Sequence, residues 1–300
     1  MAQSATNPLP PIPSKQPPIF DKPFDIPGST FISQQPTPPP DKPWSSYIFE
    51  TVGKGLIDSE VLDPEVSWPS PEVSSRFATI GQKVPHLQIG HIPGINTDWD
   101  KAVDHANYVG QFTRGYSVEG VHNCSHSPMI DLAEVFTLNY GGISPNTAQL
   151  LQENWIAFHQ ANASRPYAKY LQICHSQGAL HVRNALARAP KEIKDRVIVV
   201  AIAPAAIVTD DLCFRPIHLA CKGDVVPYGE LSFLSFCDDP DRIGCPRLLE
   251  EGILNRKNDL ILLEQHPDAT GGMHDFQGLS FQKTLKDIIE NYIDHQGEYR

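Results

Sequence analysis

Apolar residues recur along this chain in two rhythms. Short, mostly apolar and often β-branched runs at 76–80, 86–90, 116–122, 170–173, 196–203, 217–221 and 259–264 predict buried strands. Between them apolar residues return every third and fourth position, which predicts helices. One set is Trp99, Ala102, Val103, Ala106, Val109 and Phe112, behind an Asp98 N-cap. A second is Ala179, Val182, Ala185, Leu186 and Ala189, stopped by Pro190. A third is Leu285, Ile288, Ile289, Tyr292 and Ile293 within 281–293. Residues 129–138 and 145–160 also read as helical, with a Gly141-Gly142 break between them. Strands that alternate with helices, and are apolar throughout rather than at every second position, imply a mostly parallel sheet covered on both faces. The class is therefore α/β, and such sheets place function at the carboxyl ends of their strands.

The pattern fails before residue 73. Prolines at 8, 10, 11, 13, 17, 18, 23, 27 and 38–40 remove backbone donors and fix φ, so neither helix nor ladder propagates. Residues 1–72 are expected to be a Pro-rich, largely disordered segment, and 73–300 the folded domain. The plain reading of the segment is a tether; the specific one is a ligand for a partner domain, through a stretch such as Pro10-Pro11-Ile12-Pro13.

Composition narrows the classes. A formal charge of −11, with no Lys/Arg cluster among aromatics, argues against nucleic-acid binding and a polybasic membrane surface. The longest apolar run, 197–208, is shorter than the roughly 20 residues a bilayer needs. Residues 1–25 carry no charged region followed by an apolar core, so no signal peptide is expected. Six cysteines in 300 residues do not make a disulfide framework, and a reduced compartment is the simpler expectation. The cytoplasm is expected, with export lacking a cleaved signal left open.

The chemistry centres on Cys174-His175-Ser176-Gln177-Gly178, a sharp turn between the strand at 170–173 and the helix that follows. Strand, turn and helix around G-x-S-x-G form a nucleophile elbow, which lifts a serine hydroxyl off the sheet. Here Cys174 stands where the first glycine is usual. A nucleophilic Ser176 needs a base, and the base an orienting acid. Asp224 lies in Lys222-Gly-Asp-Val-Val-Pro227, just past the strand at 217–221. His274 lies in a glycine-rich loop between the last strand and the last helix. Two backbone donors for an oxyanion are expected from Gln177, at the helix start, and Ile95, in the loop Pro93-Gly94-Ile95. Gly94, Asn96 and His175 are candidate pocket residues.

Ser176, Asp224 and His274 in that order, with the Gly94-Ile95 loop upstream, resemble the α/β-hydrolase superfamily across about residues 75–295. His-Ser-Gln-Gly-Ala, Asn184-Ala-Leu, Ala203-Pro-Ala and Gly-Asp-Val-Val-Pro further resemble a family of hydrolase-like proteins from chlamydiae and their relatives. The narrower resemblance implies a bacterial source and names no reaction. The superfamily resemblance implies a serine hydrolase, and by analogy with the superfamily's breadth the expected target is an ester, thioester or amide carbonyl of a small-molecule or lipid-like acyl substrate, with no cofactor. The alternative is a hydrolase fold kept as an inactive interaction or effector protein.

Several rivals stay open. Asp210 and Asp211 compete for the acid; His266, His218 and His295 for the base; Asp275 is a weaker acid candidate. His122-Asn-Cys-Ser-His126 alternates metal-ligand types but lacks zinc spacing, so no metal is expected. Cys213, Cys221, Cys237 and Cys245 read as independent thiols, with a Cys237–Cys245 bridge if the protein is exported. Residues 125–160 either cap the site or supply a helix that packs the sheet.

Overall fold

In a computed structural model the described residues are 74–95, 97–123, 145–221, 224, 226–227, 260–269 and 272–300. The expectations for the Pro-rich segment, the helix at 129–138, Asn96, Cys124, His126, Cys237 and Cys245 fall outside them.

Among the described residues seven strands form one sheet: β1 (Ser75–Ala78), β2 (Ile89–Ile92), β3 (Val118–His122), β4 (Tyr170–His175), β5 (Val197–Ile202), β6 (Arg215–Cys221) and β7 (Leu260–Leu263), in the order β1-β3-β2-β4-β5-β6-β7. Only β1 runs antiparallel, against β3; every other pair is parallel. Among the described residues the helices are α1 (Trp99–Gly110), α2 (Pro145–Ala161), α3 (Gln177–Arg188), the short α4 (Lys191–Lys194) and α5 (Leu279–Asp294). This is a mostly parallel α/β sheet with a core on each face.

The uninterrupted apolar strands have a direct cause, because successive side chains of a strand face opposite ways and both sides are covered. On β5, Ile198, Val200 and Ile202 join a core with Ala106 and Val109 of α1 and Phe281, Leu285, Ile288 and Ile289 of α5. The intervening Val197, Val199 and Ala201 join a second core with Leu151, Trp155 and Phe158 of α2, Ala179, Val182 and Leu186 of α3 and Ile193 of α4. Residues 145–160 therefore supply the sheet-packing helix.

Boundaries move where a polar residue lies inside an element. The second strand spans Ile89–Ile92 rather than 86–90: His91 pairs with Gly120 and Ile173 in the ladder, and its side chain is completely buried. On α1 the buried face is Ala102, His105, Ala106, Tyr108 and Val109. Trp99, expected on that face, remains 38% exposed at the first turn, where its ring meets Phe77 and His122 edge-on.

Parallel pairing brings the carboxyl ends of β2, β4, β6 and β7 to one end of the sheet. The loops after them carry Gly94, Ser176, Asp224 and His274, so residues far apart in sequence meet there.

Candidate active site

Ser176 sits between the last residue of β4 and the first of α3, with φ 50° and ψ −123°. A positive φ at a residue with a side chain costs on the order of 1–3 kcal/mol and persists only when its surroundings impose it. They do so here. The Ser176 N–H donates to Ile202 O at 3.1 Å, and its carbonyl accepts from Ala179 N at 3.1 Å and Ala205 N at 3.0 Å. Gly178 makes the close approach possible: a Cβ there would lie 2.6 Å from Pro93 O and 2.7 Å from Ile92 O. A Cβ on Gly94 would meet Ser176 Cβ at 2.8 Å, so the loop after β2 is pressed onto the elbow.

Cys174, in the place of the usual first glycine, does not disturb this turn. It belongs to β4 with negative φ, is fully buried in the core beneath α2 and α3, and its thiol points to Val200 O at 3.7 Å. Burial also pushes the Cys174 thiol pKa up, which keeps it protonated and inert.

His274 joins Ser176 to Asp224. Its Nε2 is 2.8 Å from Ser176 Oγ, and its Nδ1 is 2.9 Å and 3.1 Å from the two carboxylate oxygens of Asp224. A carboxylate only accepts, so Nδ1 carries the proton and Nε2 presents a bare lone pair to the serine hydroxyl. Asp224 is held in turn, its Oδ1 accepting from Val226 N at 3.0 Å. The His274 and Asp224 side chains are 2% and 1% exposed, and at such burial water competes little for these bonds.

The rivals lie elsewhere. Asp210 and Asp211 are exposed in the loop after β5. His218 Nε2 accepts from Val208 N, exposed His266 accepts from Asp268 N, and His295 donates to Asn291 O at the end of α5. Asp275 accepts from Gln277 N within its own turn. His122 Nε2 donates to Thr97 O at 3.0 Å and so braces the loop after β2; among the described residues no group of side chains is arranged to hold a metal ion.

Of the candidate donors, the Gln177 N–H opens α3 and so lacks an acceptor within the helix. Ile95 follows the Gly94 contact directly. The Gln177 side chain is held by a buried polar chain that the sequence did not disclose. Asn123 Nδ2 donates to Gln177 Oε1 at 3.2 Å, Thr147 Oγ1 donates to Asn123 Oδ1 at 3.1 Å, and Ser74 Oγ lies 2.9 Å from Thr147 Oγ1. It ties the elbow to the end of β3 and the start of α2.

Behind the elbow lies a second feature missed in the sequence. His91, His105 and His175 surround Phe276, with ring centroids 4.9, 4.9 and 5.4 Å from it. Desolvation holds His91 and His175 well below the usual histidine range and His105 at about 4, so all three are neutral. The helical spacing of 102, 105, 106 and 109 was a usable signal for His105; the turn motif marked His175, although as a pocket residue rather than as part of this cluster, and nothing local marked His91 or Phe276.

No family model and no curated protein matches the chain in sequence. Solved structures similar to it include a poly(3-hydroxybutyrate) depolymerase from Bordetella parapertussis, at 12% identity over 74% of this chain and 84% of that one, TM-score 0.41. A dienelactone hydrolase from Anabaena variabilis is similar at 14% identity over 76% and 95%, TM-score 0.40. An α/β serine hydrolase without lid from Xanthomonas campestris is similar at 15% identity over 75% and 86%, TM-score 0.36. At such distances the functional reading stands on this chain's own side chains. Among the described residues no helix is long and apolar enough to cross a membrane.

Proposed function

We propose that the chain is a serine hydrolase that cleaves an ester- or thioester-type acyl bond. The observation that carries the reading is the unbroken buried path from Ser176 Oγ through His274 Nε2 and Nδ1 to the Asp224 carboxylate. A serine at positive φ, with a bare imidazole nitrogen at 2.8 Å, is poised as an activated nucleophile.

In this reading Ser176 Oγ attacks the acyl carbonyl while His274 Nε2 takes the hydroxyl proton. Asp224 keeps the imidazole in the Nδ1–H tautomer and stabilises the imidazolium. The carbonyl oxygen gathers negative charge toward the N–H groups of Gln177 and Ile95, at the helix start and in the loop pressed on the elbow. Collapse of the adduct expels the alcohol or thiol, protonated from His274. Water, deprotonated by the same nitrogen, then releases the acid and restores Ser176. The ester or thioester class rests on analogy with the range of chemistry this fold hosts, and an amide uses the same steps. The narrower resemblance to hydrolase-like proteins of chlamydiae lends no substrate.

Covalent labelling by a fluorophosphonate tests the reading. Labelling is expected for the wild type, is expected to vanish in Ser176→Ala, and is expected to fall by at least about 10³-fold in His274→Ala. A wild type that labels no faster than Ser176→Ala would sink the proposal.

A further inference from the structure

We propose that His175 is a positioning residue for His274, through a hydrogen bond from its ring to the His274 main-chain carbonyl. The proposal rests on the hydrolase reading for its consequence in catalysis, although the bond itself is independent of that reading.

His175 Nε2 lies 2.8 Å from His274 O, across 99 residues of sequence. A carbonyl oxygen cannot donate, so His175 Nε2 carries the proton and its Nδ1 is bare. The bare nitrogen faces the Gly94 loop, where a Cβ would lie 3.1 Å from it, and it has no hydrogen-bond partner among the described residues. The ring is fixed by packing: His274, Phe276 and His105 lie at centroid distances of 4.9, 5.4 and 6.3 Å.

The two ends of this bond are well placed to set the geometry of the reacting pair. His175 ends β4 and is bonded to Ser176, so it moves with the elbow. His274 sits in a loop, where Asp275 N donates to Gly272 O and Gly278 N donates to Asp275 O. Those turn bonds shape the loop without tying it to the elbow. Asp224 fixes the tilt of the His274 ring, and His175 fixes where its backbone sits relative to Ser176. A shift of about 1 Å between a nucleophile and its base can cost on the order of 10²-fold in rate, so a donor at this point matters beyond packing.

The test compares His175→Gln, whose amide nitrogen can reach the same carbonyl, with His175→Phe, which fills the ring's space without a donor. The readouts are the fluorophosphonate labelling rate and the downfield proton resonance of the His274 Nδ1–H shared with Asp224. Phe is expected to slow labelling by about 10- to 100-fold and to lose or broaden the resonance. Gln is expected to keep the resonance and recover most of the rate. Should His175→Phe fail to unfold cooperatively, His175→Met makes the same comparison. Equal rates and an unchanged resonance in the donorless variant overturn the proposal, and so does a Gln variant as slow as the Phe variant. If the wild type resists the probe while the resonance persists in Gln and disappears in Phe, the hydrolase reading falls and the positioning role stands.

Discussion

Acidification from pH 7 to pH 5 is expected to destabilise the fold steeply, and the buried imidazoles set the size of the effect. Burial holds His105 and His181 at about 4, against the ordinary histidine value of about 6.5. The depressed folded values mean that the unfolded chain binds protons first, so stability is complete above about pH 6.5 and is lost as pH falls toward 4. Between pH 7 and pH 5 each of the two loses about 2 kcal/mol, or about 4 kcal/mol for the pair. His91 and His175, neutral through the same desolvation, act in the same direction. A domain's whole stability is about 5–15 kcal/mol, so this loss is a large share of it. Most carboxylates stay ionised in this window, which isolates the histidine contribution.

Urea unfolding at pH 7, 6 and 5 measures the effect, with the fluorescence of buried Trp155 as a reporter of the core. His181 offers the clean perturbation, because neither ring nitrogen has a hydrogen-bond partner among the described residues. His181→Leu removes a titrating group without breaking a bond, so it is expected to flatten the pH dependence by about 2 kcal/mol over the window. A wild type losing less than about 1 kcal/mol between pH 7 and pH 5 would refute the reasoning, as would a His181→Leu variant with an unchanged slope.

Two further outcomes follow from the elbow and its partners. Asp224→Asn is expected to slow probe labelling by about 10³- to 10⁴-fold, through loss of the correct imidazole tautomer, while Asp210→Asn and Asp211→Asn label at the wild-type rate; the reverse order would move the acid to the loop after β5. Substitutions at the two ends of the turn are expected to differ in kind when labelling rate and urea stability are compared. Gly178→Ala meets unyielding backbone oxygens and is expected to cost at least about 3 kcal/mol and to slow labelling, whereas Cys174→Gly is expected to cost about 1–2 kcal/mol of packing and backbone entropy with no gain in rate.

The sheet was legible because its physics is local. Strands buried on both faces are mostly apolar; β5 announces itself on that ground at every position, and β4 and β6 do so despite buried Gln172 and His218. The order of Ser176, Asp224 and His274 was legible because each follows a strand, and parallel strands gather their carboxyl ends. What the sequence hid was long-range or polar. His91 reads as a loop residue in one dimension, and its pairing with Gly120 of β3 and Ile173 of β4, with its ring buried beside His105 and Phe276, is visible only in three dimensions. That Asp224 rather than Asp210 or Asp211 lies against His274 needed three-dimensional distance, since all three satisfy the rule of order. The bonds from His175 to His274 and from Asn123 to Gln177 span 99 and 54 residues, and no local pattern encodes them.

Cys174 shows why a motif must be read position by position. The two flanking places of G-x-S-x-G meet different constraints. At Gly178 the backbone of the β2 loop occupies the space a side chain would need, so glycine is enforced by contact. At Cys174 the residue is an ordinary member of β4 with its side chain in the core, so what is required is a small group that packs. The strain that makes an elbow is carried by Ser176 itself, at φ 50°, and is held by the bonds to Ile202, Ala179 and Ala205. A first glycine relieves none of it. Its replacement by cysteine is therefore a change of packing, and the arrangement of Ser176, His274 and Asp224 stands without it.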